Sequence, residues 1–144
     1  MNGINVISHR GANRVAPQNT IPAFEKSIEI GCDGFETDVH LTKDGFPVIC
    51  HNFTIDETST GKGAIKNMTL EELRKFDASA TFRGVYGFCG IPTLREYFEL
   101  VKDTPIITNI ELKTGVYEYL TIEKRVIDMV REFGLSDKII FSSF

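Results

Sequence analysis

Along this chain, short runs that alternate apolar and polar residues are separated by stretches of helical periodicity, and that order leaves few folds open. Gly34 to Thr42 sets the pattern: Phe35, Val39 and Leu41 fall on one face, and Glu36, Asp38 and His40 on the other. Thr37 is the one polar residue on the apolar face. A period of two means a strand. Ile4–Ser8, Phe46–Cys50, Pro105–Leu112 and Lys138–Ser143 read as further strands. Between them the period turns helical. Asn19 or Thr20 caps a helix that has Pro22 in its first turn, Ile21, Phe24 and Ile28 at helical spacing, and Gly31 at its end. Thr69-Leu70-Glu71-Glu72 and Thr93-Leu94-Arg95-Glu96 are capping boxes, the second opening a helix through Val101. Thr121–Phe133 is amphipathic, with Ile122, Val126, Met129, Val130 and Phe133 inward. Strands alternating with helices predict a parallel α/β architecture. Residues 52–91, rich in Thr, Gly and Lys, break the rhythm and read as a small inserted subdomain.

Composition excludes several classes. With 42% hydrophobic and 25% charged residues the chain reads as a globular domain, and 144 residues suffice for one core. The net charge of −4 offers no basic footprint for nucleic acid or an anionic membrane. Met1 to Arg10 has neither a basic leader region nor an apolar run of signal-peptide length, and no stretch approaches a membrane span, so no stable membrane insertion is expected. Cys32, Cys50 and Cys89 have no CxxC spacing and read as reduced, buried thiols in a cytoplasmic protein.

The informative polar residues gather near the C-terminal ends of consecutive strands: His9 and Arg10, Glu36 and Asp38, His51, and Glu111 and Lys113. Ligand sites of barrels and of doubly wound sheets sit at that end. Residues two apart on a strand share a face, so Glu36 and Asp38 project together, as do Glu111 and Lys113. Inward carboxylates cost several kcal/mol of desolvation unless a cation neutralises them, and three without a nearby Cys favour Mg²⁺ or Ca²⁺. The plainer reading of Glu36 and Asp38 is a solvated edge strand. His9 and His51 titrate near neutral pH, so one can accept a proton while the other donates one, which suits displacement at phosphorus. Arg10 offers a bidentate clamp for phosphate oxygens, with a surface turn residue as the plainer reading. Lys113 reads either as a phosphate contact or as an ion-pair partner of Glu111 or Asp38. His40 reads as a structural or mouth-lining residue, and Lys62, between two glycines, as part of a solvated loop.

These residues resemble a known family. His9-Arg10-Gly11-Ala12, Ala16-Pro17-Gln18-Asn19-Thr20, Gly34-Phe35-Glu36-Thr37-Asp38-Val39, Leu41-Thr42-Lys43-Asp44-Gly45, His51, Ile91-Pro92-Thr93-Leu94, Ile110-Glu111-Leu112-Lys113 and Phe141-Ser142-Ser143-Phe144 resemble, in order, the glycerophosphodiester phosphodiesterases. The resemblance implies a (β/α)8 TIM barrel with a subdomain inserted after strand 3. It implies metal-dependent hydrolysis of glycerophosphodiesters, small molecules, to glycerol 3-phosphate and an alcohol. His9 and His51 fall on the family's catalytic histidines, Glu36, Asp38 and Glu111 on its metal carboxylates, and Arg10 and Lys113 on its phosphate contacts. A phosphoinositide-type phospholipase C also pairs two histidines on a barrel, but the spacing of Glu36 with Asp38 and of Glu111 with Lys113 fits the glycerophosphodiester family better.

Three departures stand out. Gln18 replaces the family's usual Glu. Asn52 follows His51 where the family has Asp, and an Asn supplies no negative charge to support a histidinium. A closed barrel needs eight strands in about 250 residues, and this chain carries about five strands. Residues 1–144 are therefore expected to be a C-terminally incomplete domain. Its open sheet edge invites self-association, and a half-barrel that binds a cation or phosphate without turnover is the alternative function.

Overall fold

The structure, a computed structural model, describes residues 3–144; Met1 and Asn2, the first residues of the segment read for a leader, lie outside the described residues. Five strands are present: β1 (Ile7–His9), β2 (Gly34–Leu41), β3 (Pro47–Ile49), β4 (Ile107–Leu112) and β5 (Ile139–Ser142). The helices are α1 (Ile21–Ile30), α2 (Leu70–Leu73), α3 (Leu94–Val101) and α4 (Ile122–Glu132), with 3-10 turns at Ile65–Asn67 and Ala80–Phe82.

Strand β2 is the axis of the sheet. It pairs in parallel with β1 on one side and β4 on the other, and β5 extends the sheet beyond β4, giving the order β1-β2-β4-β5. Register alone then brings the polar residues together, because His9 lies beside Glu36 and Asp38 beside Glu111.

Phe46–Cys50 reads from its sequence as a strand of unstated sense, and the structure gives the sense of β3. It runs antiparallel to the end of β2, with Val39 opposite Ile49 and Leu41 opposite Pro47. The reason is the short turn around Gly45, where φ is +84°. A parallel return needs a crossover of roughly a dozen residues, so the chain can only double back. Four strands therefore run parallel, and β3 folds over the mouth of the sheet.

The outer layer is apolar and aromatic. Phe35 of β2 meets Phe24 of α1 at 5.3 Å and Tyr97 of α3 at 6.2 Å between ring centroids, and Val126 and Val130 of α4 join the same core. Tyr97 keeps a polar handle there, its hydroxyl 2.6 Å from Thr108 Oγ1. Helix α3 starts at the expected capping box, in which Thr93 and Glu96 satisfy each other's backbone N–H. Helix α1 ends at Gly31 in the left-handed conformation. Its buried face is Ala23, Phe24 and Ser27 rather than Ile28, which is 36% exposed. Ser27 is tolerated inside because its hydroxyl meets Ser8 Oγ at 2.7 Å and donates to Ala23 O.

Residues 52–91 wrap around β3 and build a second apolar cluster of Val48, Cys50, Ile55, Ile65, Leu73, Ala78 and Ile91. Helix α2 opens on the Thr69–Glu72 capping box. At the two sheet edges β1 and β5 have no outer partner strand among the described residues, and Ile7, Ile140 and Phe141 are exposed. Among the described residues no helix is long and apolar enough to cross a membrane.

Candidate active site and metal centre

The site is built where β1, β2 and β4 end. Arg10 and Gly11 turn the chain after β1 with φ of +57° and +75°. A Cβ on Gly11 would lie 2.8 Å from Ala23 atoms, so the turn needs glycine there. Left-handed Arg10 costs on the order of 1 kcal/mol. In return its N–H donates to Glu36 O at 2.9 Å and reaches Glu36 Oε2 at 3.2 Å, and its side chain swings back over β2. There Nη1 donates to Gln18 Oε1 at 3.0 Å and Nε stands 3.6 Å from Asp38 Oδ2 without a hydrogen-bond partner.

Carboxylate oxygens of Glu36, Asp38 and Glu111 all lie within 4.8 Å of one another, close enough to share one metal ion. Asp38 is fully buried, so these residues are not a solvated edge. Its Oδ2 accepts from Asn19 Nδ2 at 2.8 Å, whereas Oδ1 accepts no well-directed hydrogen bond although Lys113 Nζ is 2.9 Å away. Lys113 Nζ also donates to Glu111 Oε1 at 2.6 Å. Burial alone would lower the Lys113 pKa, but the hydrogen bond to Glu111 and the nearby negative charges of Asp38 and Glu111 outweigh it and raise it. The ion pair expected for Lys113 thus exists, with both carboxylates. Glu36 is pushed up to about 7 by burial and by Asp38 beside it, against the pull of Arg10. A carboxyl held there is short of positive charge. That shortfall, the unserved Asp38 Oδ1 and an all-oxygen donor set fit a hard divalent cation.

Both histidines flank the trio. His9 Nε2 is 3.7 Å from Glu36 Oε2, its side chain 60% exposed, and its pKa is lowered by partial burial and by Arg10. His51 reaches the mouth because β3 runs backwards: Cys50 N–H donates to Asp38 O at 3.1 Å, setting His51 next to the trio's strand. Positive charge on His51 also disfavours a proton on His9. His51 Nδ1 faces Asn52 Oδ1 at 2.5 Å, and Asn52 Nδ2 donates to Glu57 Oε2 at 2.7 Å. His40 is structural: fully buried, its ring nitrogens 3.2 Å from Tyr119 Oη and 3.4 Å from His51 O, its pKa pushed down to about 4 by burial. Lys62 is exposed in its loop, Cys50 and Cys89 are buried, Cys32 is half-buried, and all three thiols are free.

Asn19 was legible only as a helix cap. Thr20 holds the cap position instead, and Asn19, at φ +57°, bridges Asp38 and the hydroxyl of Thr37, which donates to Asn19 Oδ1 at 3.0 Å. The signal was present in Thr37, a polar residue on an apolar face that had to find a partner. Glu57 gave no signal.

Known proteins resemble this chain in sequence and in fold. The profile of the Glycerophosphoryl diester phosphodiesterase family matches residues 9–144. A glycerophosphodiester phosphodiesterase of Caldanaerobacter subterraneus is 45% identical over 139 residues, which is 96% of this chain and 57% of the relative. Another, from Bacillus altitudinis, is 40% identical over 140 residues, with the same coverage of 96% and 57%. The crystal structure of a glycerophosphodiester phosphodiesterase from Agrobacterium tumefaciens superposes with a TM-score of 0.90 at 32% identity, covering 99% of this chain and 58% of that one. An Oleispira antarctica phosphodiesterase, solved in complex with the product sn-glycerol-3-phosphate, superposes with a TM-score of 0.82 at 33% identity, covering 98% and 57%. The chain thus spans less than two thirds of the length of these relatives, and its fold is part of a (β/α)8 TIM barrel. With the family profile running from His9 to the last residue, through every carboxylate of the trio, the chain belongs to the glycerophosphoryl diester phosphodiesterase family.

Proposed function

We propose that this chain carries the acid–base, metal-binding and phosphate-binding groups of a phosphodiesterase that hydrolyses glycerophosphodiesters to sn-glycerol 3-phosphate and an alcohol. The observation that carries this reading is the convergence of Glu36, Asp38 and Glu111 oxygens within 4.8 Å of one another, with the His9 imidazole 3.7 Å from Glu36 and the residue before His51 hydrogen-bonded to the main chain of Asp38. The product complex of the Oleispira relative supports the substrate class. Glu36, Asp38 and Glu111 hold the cation, Mg²⁺ or Ca²⁺, which when bound stabilises charge on the phosphodiester as a Lewis acid. Lys113 has a third N–H beyond its contacts with Asp38 and Glu111, and it binds a phosphate oxygen. Arg10, whose Nε lacks a partner, binds another. One histidine removes a proton from the attacking hydroxyl. The other returns a proton to the leaving alkoxide as the phosphorus–oxygen bond breaks. Three free thiols suit a reducing compartment such as the cytosol, and the open edges of β1 and β5 suit self-association.

The test is product analysis on the complete protein with glycerophosphocholine. Glycerol 3-phosphate and choline are expected, with release abolished by EDTA and restored by Mg²⁺ or Ca²⁺. Turnover indifferent to EDTA would remove the carboxylate trio from the mechanism. Cation binding without any turnover would favour a non-catalytic binding module.

A further inference from the structure

We propose that Glu57, acting through Asn52, fixes the tautomer of His51, and that the two are positioning residues for proton transfer at that imidazole. A carboxylate oxygen only accepts hydrogen bonds while ionised. The Asn52 atom that faces Glu57 Oε2 at 2.7 Å is therefore the amide nitrogen. This settles the other end of the same amide: its oxygen points at His51 Nδ1, 2.5 Å away. An oxygen so placed requires a proton on Nδ1. The lone pair of neutral His51 is then on Nε2, which becomes the atom that takes or gives the proton.

Without Glu57 nothing among the contacts of Asn52 decides which way its amide faces, because the two ends have nearly the same shape. A reversed amide would present its NH₂ group to Nδ1, leaving Nε2 protonated and unable to act as a base. The main chain around His51 is already anchored, by Cys50 N–H on Asp38 O and by His51 O against the His40 ring. Ring tautomer is thus the freedom left for Asn52 and Glu57 to set. The negative charge that an Asp at position 52 would bring to the ring is present here one amide further out.

Ring-nitrogen chemical shifts of His51, read by NMR, test this in the wild-type chain, in Glu57→Ala, and in the double variant Asn52→Asp with Glu57→Ala. The wild type is expected to carry the proton on Nδ1. Glu57→Ala is expected to move it toward the Nε2–H form that a free imidazole favours. The double variant is expected to restore Nδ1–H, since a carboxylate at position 52 needs nothing to orient it. Glu57 is exposed, so its truncation leaves the core untouched. A wild-type ring protonated on Nε2, or a Glu57→Ala ring that stays on Nδ1, overturns the proposal. In the complete protein, Glu57→Ala should lower kcat about 10-fold with KM unchanged, and the double variant should recover it. That kinetic arm rests on the phosphodiesterase reading, and the NMR arm does not. The expected shifts in a protein without diesterase turnover would uphold the positioning role and count against the hydrolase.

Discussion

The two histidines flank the same three carboxylates but are held in opposite ways. His9 ends a three-residue edge strand, is 60% exposed, and has a carboxylate oxygen no nearer than 3.7 Å. His51 ends a hairpin backed by the second apolar cluster, with Asn52 on its ring and His40 against its carbonyl. One imidazole is exposed with no close hydrogen bond among the described residues, and the other is clamped. The difference teaches that a barrel mouth can obtain an exposed and a clamped imidazole from the same layer, by taking one from the main sheet and one from an excursion off it.

The largest effect that would break this comparison is on turnover. Alanine at His9 or at His51 should each lower kcat by at least about 10²-fold in the complete protein. Near-normal turnover in either variant would leave that imidazole without a role in proton transfer.

The next effect concerns the clamp alone. His40 titrates near 4 when folded against 6.5 unfolded. Between those values the unfolded chain binds the proton and the folded one does not. Stability from this group is therefore intact above pH 6.5 and falls as pH drops toward 4, by up to about 3 kcal/mol. Urea midpoints measured across that range should decline in the wild type and flatten in His40→Gln. Equal declines would sever His40 from the acid sensitivity of the His51 side.

The smallest effect lies under His9 and Arg10. Asn19→Gly keeps the left-handed backbone but removes the bonds to Asp38 and Thr37, which should cost about 2 kcal/mol in denaturant unfolding. A loss below about 0.5 kcal/mol would mean that water replaces the amide at no penalty.

Much of this was legible in the residues. Capping boxes at Thr69 and Thr93, the Gly31 stop and the alternation of β2 rest on local physics, and local physics is what a sequence carries directly. The convergence of Glu36, Asp38 and Glu111 followed from their placement on strands. The sense of β3 stayed open because a period of two is blind to direction; the short turn at Gly45 held the answer. The burial of Ser27 in place of Ile28 depended on a hydroxyl partner from another strand, Ser8, which no periodicity reveals. Asn19 and Glu57 were missed for the same cause: each earns its place through a side chain distant in sequence or on a loop without pattern.

The hairpin has a further consequence, for the order of assembly. Pairing β3 on β2 closes only a short turn, whereas Glu111 can join Asp38 only after all of residues 52–91 have been looped out. Loop-closure entropy favours the near contact first. The hairpin that carries Asp38 and leads into His51 is therefore expected to pair first during folding, with the third carboxylate arriving later to a partner already in place.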